Sequence, residues 1–145
     1  MKIVVQRVNQ AKVEVDSKVI GKIKKGLMVL IGVRENDTEK EAEYLANKLC
    51  NLRVFEDENE KMNLRLKDIG GSLLLISQFT LYANSKNGNR PSFTEAAKPD
   101  KACEIYEYFC NECKKQDIKV EKGIFGANMQ VSLVNDGPVT IIIEK

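Results

Sequence analysis

The chain of 145 residues has no histidine and no tryptophan, only three prolines, and 6% aromatic residues. The missing histidine excludes a Ser-His-Asp triad, a Cys-His dyad and any histidine-ligated metal within one chain. Whatever is catalysed here proceeds without the commonest general base. No run approaches the ~20 apolar residues that a membrane helix requires. The opening Met-Lys-Ile-Val-Val-Gln-Arg carries too short an apolar stretch for a signal peptide, so a cytosolic chain is expected. No charge of one sign dominates: the formal net charge is +2, which permits nucleic-acid binding without arguing for it.

Four cysteines are present, and in a cytosolic chain they are most simply free, largely buried thiols. Cys110 and Cys113 have C-x-x-C spacing, but no second close pair exists. Cys50 and Cys103 stand at unrelated distances, so neither zinc nor redox chemistry is expected. No metal and no cofactor is expected at all. A content of 43% hydrophobic and 30% charged residues fits one globular domain, which at this length buries about 68–70% of its unfolded surface.

The central stretch is Gly70 to Ala83. Leu73–Ser77, with only Ser77 polar, reads as a strand buried on both faces, and Gly70-Gly71 marks a turn before it. Ser77, Gln78 and Thr80 then interrupt the apolar run. Buried polar side chains cost free energy unless partnered, so the strand either emerges at the rim or presents donors to a ligand.

Before it, Lys2–Val8 and Ala11–Val15 read as two strands, Val19–Ile23 as a short third and Leu27–Val33 as a central one. Lys22, Lys24 and Lys25 fit a solvated turn, although they can also meet phosphate. Thr38 and Glu41 have capping-box spacing at the start of a helix, whose apolar stripe is Ala42, Leu45, Leu49 and Leu52. Arg53–Phe55 and Met62–Leu66 make a hairpin. After the central stretch, a polar loop from Asn84 to Pro91 holds Lys86, Gly88 and Arg90. Such a loop is ordinarily solvated surface, although beside an active strand it can meet phosphate. Pro99 opens a second helix, which carries Ala102, Tyr106, Phe109 and Cys113 inward and ends near Lys115. Ile118, Val120, Gln130–Val134 and Val139–Ile143 complete the strands. With about eight to ten strands, two helices and no regular βαβ alternation, the fold expected is α+β: a single domain, residues 1–145, with a barrel-like antiparallel or mixed sheet and two outer helices.

Ser77-Gln78-Phe79-Thr80-Leu81, set beside Asn135-Asp136-Gly137-Pro138-Val139-Thr140, resembles the D-aminoacyl-tRNA deacylase family. The likeness spans the chain and includes Gln6-Arg7-Val8, Lys61-Met62-Asn63, Arg90-Pro91-Ser92-Phe93 and Met129–Val134. It implies hydrolysis of the ester joining a D-amino acid to the 3′-terminal adenosine of tRNA, by a homodimer of a small barrel-like fold. It further implies a cis Gly137-Pro138 bond whose carbonyls face the substrate α-carbon and exclude an L side chain. Arg7 would brace that element, and Phe125 and Met129 would form a pocket for the terminal adenine.

Within this resemblance, the catalytic group is Ser77, Gln78, Phe79 and Thr80. Backbone N–H groups around Gln78 and Phe79 would stabilise the oxyanion. Thr80 is the obvious side-chain nucleophile but lacks a base, so water or the ribose 2′-hydroxyl is favoured for the proton work. Asn128, where the family more often has Asp, and Lys12, where a small residue is expected, depart from the pattern. The alternative is an RNA-binding barrel without chemistry, using the Lys86–Arg90 loop and stacked aromatics.

Overall fold

The computed structural model describes all residues, Met1–Lys145. The order is β1 (Lys2–Val15), β2 (Lys18–Ile23), β3 (Gly26–Gly32), α1 (Glu39–Cys50), β4 (Arg53–Glu56), β5 (Met62–Arg65), β6 (Ser72–Ser77), α2 (Pro99–Lys114), β7 (Lys119–Lys122) and β8 (Gln130–Glu144). A single 3-10 turn, Phe79–Tyr82, follows β6. The α+β, barrel-like expectation holds, with two helices and a mixed sheet.

Strand β1 runs unbroken through the expected gap between Val8 and Ala11. Asn9 and Gln10 look turn-like because both are exposed. They sit where the pairing to β8 shifts register, so a bulge bends the strand without ending it. The bend lets one strand serve three neighbours: β3 along its first half, β2 along its second, and β8 along its whole length.

β3 and β6 pair in parallel, as do β6 and β7. Each pair is joined through a helix, α1 and then α2. Two crossovers of βαβ type are therefore present where no regular alternation was expected. The β4–β5 hairpin between α1 and β6 disguises the first of them. Parallel pairing explains why Leu73–Ile76 are all buried. Leu73 and Leu75 meet the helices in one core, with Leu27, Val29, Tyr106 and Phe109. Leu74 and Ile76 meet Val8, Val13, Ile23 and Met28 in a second core. Gly26 is where β3 approaches closest to β6: a Cβ there would stand 2.0 Å from the Ser72 carbonyl oxygen, so no other residue fits.

Helix α1 begins with the expected cap. Thr38 N–H donates to Glu41 Oε2 (2.8 Å), and Thr38 Oγ1 accepts from Lys40 N–H (3.3 Å). The Thr38 bonds hold the Glu41 carboxyl below its ordinary pKa. Pro99 stands in the first turn of α2. Cys50, Cys110 and Cys113 are buried and all four cysteines are free thiols; burial pushes Cys110 up to about 12. No helix is long and apolar enough to cross a membrane.

Candidate active site

A cleft of about 610 Å³ opens where β3 and β6 end. Ile31, Val33 and Ile76 form its floor. Ser77, Gln78 and Phe79 form one rim, and the loop between β7 and β8 supplies Phe125, Ala127 and Met129 opposite. The start of α2 and the segment leading into it close a third side with Ala96, Ala97, Pro99 and Ala102. Their small side chains leave the room that larger residues would fill. Tyr106 lies at the base, its ring 5.9 Å from that of Phe125, and its hydroxyl donates to the Leu75 carbonyl at 2.9 Å. Burial pushes that phenol above its ordinary range.

Tyr106 is the one titratable residue lining this space; no carboxylate, lysine or cysteine does. The cleft therefore contains no group able to act as a base near neutral pH. What it offers is apolar surface and a polar rim.

That rim differs from the strand end expected. Ser77 closes β6, and Phe79–Tyr82 coil into the 3-10 turn. The Gln78 N–H is not available to a substrate, because it donates to the Ile31 carbonyl at 2.7 Å. The first N–H groups of any helical turn have no partner within it, and those of Phe79 and Thr80 have no backbone acceptor. The Gln78 side-chain amide donates to Thr80 Oγ1 at 2.5 Å. The threonine oxygen thus accepts a hydrogen bond from an amide that cannot remove its proton. Thr80 is exposed and lies outside the residues lining the cleft.

Gly137 and Pro138 are elsewhere in the fold. Between the pairs Val8–Asn135 and Gln6–Thr140, β1 contributes Arg7 alone while β8 contributes Asp136 to Val139. The excess loops outward, exposing Gly137 and Pro138, and the bond between them is cis. Across β1, Arg7 pairs with Leu27 of β3. Leu27 is four residues, about 13 Å of strand, from the cleft floor at Ile31. Neither Gly137 nor Pro138 lines the cleft of its own chain.

Arg7 holds this loop. It is 5% exposed. Its Nε donates to the Asp136 carbonyl (3.2 Å) and lies 3.3 Å from Asp136 Oδ2, Nη1 donates to the Val54 carbonyl (2.9 Å), and Nη2 lies 3.5 Å from Glu56 Oε1. One planar fork thus ties β8 to β4, a geometry an ammonium cannot reproduce. Arg7→Ala is expected to cost about 2–4 kcal/mol, because it leaves the buried Val54 carbonyl without its donor and opens a void. The check is a fall in melting temperature on the order of 10 °C, of which Arg7→Lys recovers only part.

Of the residues singled out in the sequence, the cleft gathers Ser77, Gln78, Phe79, Phe125 and Met129. Thr80 stands beside it, and Arg7, Gly137 and Pro138 form a second cluster. Sequence reasoning missed the wall from Ala96 to Ala102 and the base at Tyr106. Three alanines and a proline at the start of a helix were the available signal.

Residues 4–144 match the family model described as D-Tyr-tRNA(Tyr) deacylase. The chain belongs to this family. A D-aminoacyl-tRNA deacylase of Thermosipho africanus is 57% identical over 145 residues, covering 100% of this chain and 97% of that protein. One of Fusobacterium nucleatum is 58% identical over 144 residues, covering 99% and 95%. The chain is also similar to a solved structure described as c-Myc DNA Unwinding Element Binding Protein, with TM-score 0.93, 42% identity, and 100% and 99% of the two chains covered. A structure described as a probable eukaryotic D-amino acid tRNA deacylase shares the fold at TM-score 0.83 and 16% identity, over 98% and 97%.

Proposed function

We infer that the chain hydrolyses the ester bond of D-aminoacyl-tRNA, releasing free D-amino acid and tRNA, and so serves translation quality control. Its chain-long identity to proteins of that name carries the reading, and the chemistry of the cleft agrees with it. An aminoacyl ester is activated enough to be cleaved without a strong base. A site with no titratable group near neutrality can still cleave it by positioning and by stabilising the oxyanion.

The terminal adenine enters between Phe125 and Met129, where stacking on an aromatic face contributes about 1–3 kcal/mol. The ester carbonyl then reaches the rim. There the N–H groups of Phe79 and Thr80 stabilise the developing oxyanion by about 3–4 kcal/mol each. Ser77 and the Gln78 side chain fix the substrate's orientation. Water attacks the carbonyl, and the ribose 2′-hydroxyl next to the ester relays the proton.

The chain acts as a homodimer, in which Gly137 and Pro138 of a second copy complete the cleft of the first. This reading is supported by their absence from their own cleft and by the open edge of β8. That strand pairs only with β1 and exposes 46% of Val134 and 67% of Ile142. Fifteen residues of free edge with exposed apolar side chains would invite aggregation unless covered, and a two-fold partner covers them. Held against the α-carbon, the Gly-Pro carbonyls leave no space for an L side chain. Exclusion of this kind rejects L without needing to attract D, and glycine, having no side chain, passes. The work belongs in the cytoplasm, where aminoacyl-tRNA is consumed.

The test is the purified chain with D-tyrosyl-, glycyl- and L-tyrosyl-tRNA. Hydrolysis of the first two with the third untouched is expected. Rapid cleavage of the L ester contradicts steric exclusion, and tight tRNA binding without hydrolysis selects a binding barrel instead.

Thr80→Ala separates positioning from covalent catalysis. With no base at its hydroxyl, the variant should keep activity within roughly 10–100-fold of the parent, about 1.4–2.8 kcal/mol. A loss of ~10⁴-fold with folding intact, or a trapped acyl-threonine, identifies the hydroxyl as nucleophile.

A further inference from the structure

We infer that the hairpin of residues 84–92 grips the phosphates of the RNA strand that leads into the terminal nucleotide. The inference rests on the deacylase reading above and extends it from the last nucleoside to the chain behind it.

From Ile69 to Thr94 the sequence contains no aspartate or glutamate, and its only charged residues are Lys86 and Arg90. This carboxylate-free stretch includes β6 and the catalytic rim. Asn84 and Ser92 exchange two backbone hydrogen bonds, Asn84 N–H to Ser92 O (2.8 Å) and Ser92 N–H to Asn84 O (2.9 Å). The Asn84 side chain also accepts from Lys86 N–H at 3.0 Å. The loop is therefore a closed hairpin. Gly88, at φ +88°, supplies the backbone conformation that its tip requires.

The hairpin is fixed to the cleft mouth. Phe93, the next residue, packs edge-on against Phe79 with ring centroids 5.1 Å apart, and both rings line the cleft. They are also 37% and 55% exposed. Lys86 and Arg90 project beyond that anchor, and neither has a carboxylate within ion-pair distance.

Of the other cations near this end, Lys98 beside the cleft wall is also without an ion pair, and two are already engaged. Arg34 pairs with Glu144 at 2.7 Å, and Lys101 donates to the Glu35 carbonyl. Two free cations four residues apart, held on a closed hairpin at the entrance, match a strand that carries one negative charge per nucleotide. An unpaired 3′ end has its phosphates accessible and no groove to read, so backbone charge is the feature available for recognition.

The test compares two substrates differing in phosphate: D-tyrosyl-tRNA and the 3′-O-D-tyrosyl ester of adenosine, which has none. With Lys86→Ala plus Arg90→Ala, kcat/KM toward the tRNA should fall about 10–100-fold at low salt. The slope of log kcat/KM against log salt should flatten by about 1.4, the loss of two single-strand phosphate contacts. The adenosine ester should be cleaved at the parent rate, and Lys86→Arg plus Arg90→Lys should retain the parent salt slope. Equal loss on both substrates, or no loss on either, overturns the inference. Inertness of the unmodified protein toward both esters overturns the deacylase reading itself, and this inference with it.

Discussion

Ile142→Asp should turn the protein into a monomer and lower deacylation by about 10²-fold or more, with the fold intact. In a single chain Ile142 is 67% exposed, and a surface substitution of this kind usually changes folding stability by no more than ~0.5 kcal/mol. Across a two-fold interface the same carboxylate meets its own copy and apolar surface, where desolvation and like-charge repulsion oppose assembly. If Gly137 and Pro138 act only on the neighbouring cleft, separation removes them from the reaction. Loss of substrate positioning of even 1 Å can cost about 10²-fold. Light scattering at micromolar concentration, paired with a thermal melt and the D-tyrosyl-tRNA assay, reads all three quantities. A monomer with full activity refutes the two-chain site.

Gly137→Ala should damage chiral selectivity more than stability. Gly137 has φ +121°, a conformation in which other residues are strained by about 1–3 kcal/mol. An added Cβ would stand 2.9 Å from Val139 Cγ2 and 3.2 Å from Arg7 Nη2. The loop must therefore shift, and Arg7 is the residue that sets its position. If the loop faces the α-carbon as proposed, its displacement widens that space, so L-tyrosyl-tRNA should become a substrate while D-tyrosyl-tRNA is cleaved more slowly. The expected fall in the D-to-L ratio of kcat/KM is at least ~10²-fold. An unchanged ratio would mean that these residues do not face the substrate.

Legibility in the sequence followed locality. The Thr38–Glu41 cap, Pro99 in the first turn of α2 and the continuous run Leu73–Ile76 each depend on neighbours within a few residues, and each matches the structure. The two parallel pairings of β6 depend on strands far away in the chain, and no local pattern announces them. Gln78 and Thr80 looked like the rim of a strand because polar side chains at alternate positions fit one. What decides their geometry is the bond from Gln78 N–H to Ile31 on another strand. The motif words were legible as a resemblance. Their separation within one chain was not, because it follows from the register of β8 on β1. The cleft wall at Ala96, Ala97 and Ala102 is informative only once α2 is packed against β3 and β6.

The most direct test of the shared site mixes two variants impaired in different halves of it. Ala127→Trp fills the cleft from the β7–β8 loop but leaves Gly137 and Pro138 intact; Gly137→Ala displaces the Gly-Pro loop of β8 but leaves the cleft intact. After equal amounts are mixed and subunits exchange, half the dimers should be mixed, each with one fully intact site. Intact sites should then make up a quarter of the total, raising D-tyrosyl-tRNA deacylation above that of the unexchanged mixture, while L-tyrosyl-tRNA cleavage falls by half as Gly137→Ala homodimers are diluted. Activity no greater than the average of the two variants, despite demonstrated subunit exchange, would contradict the shared site.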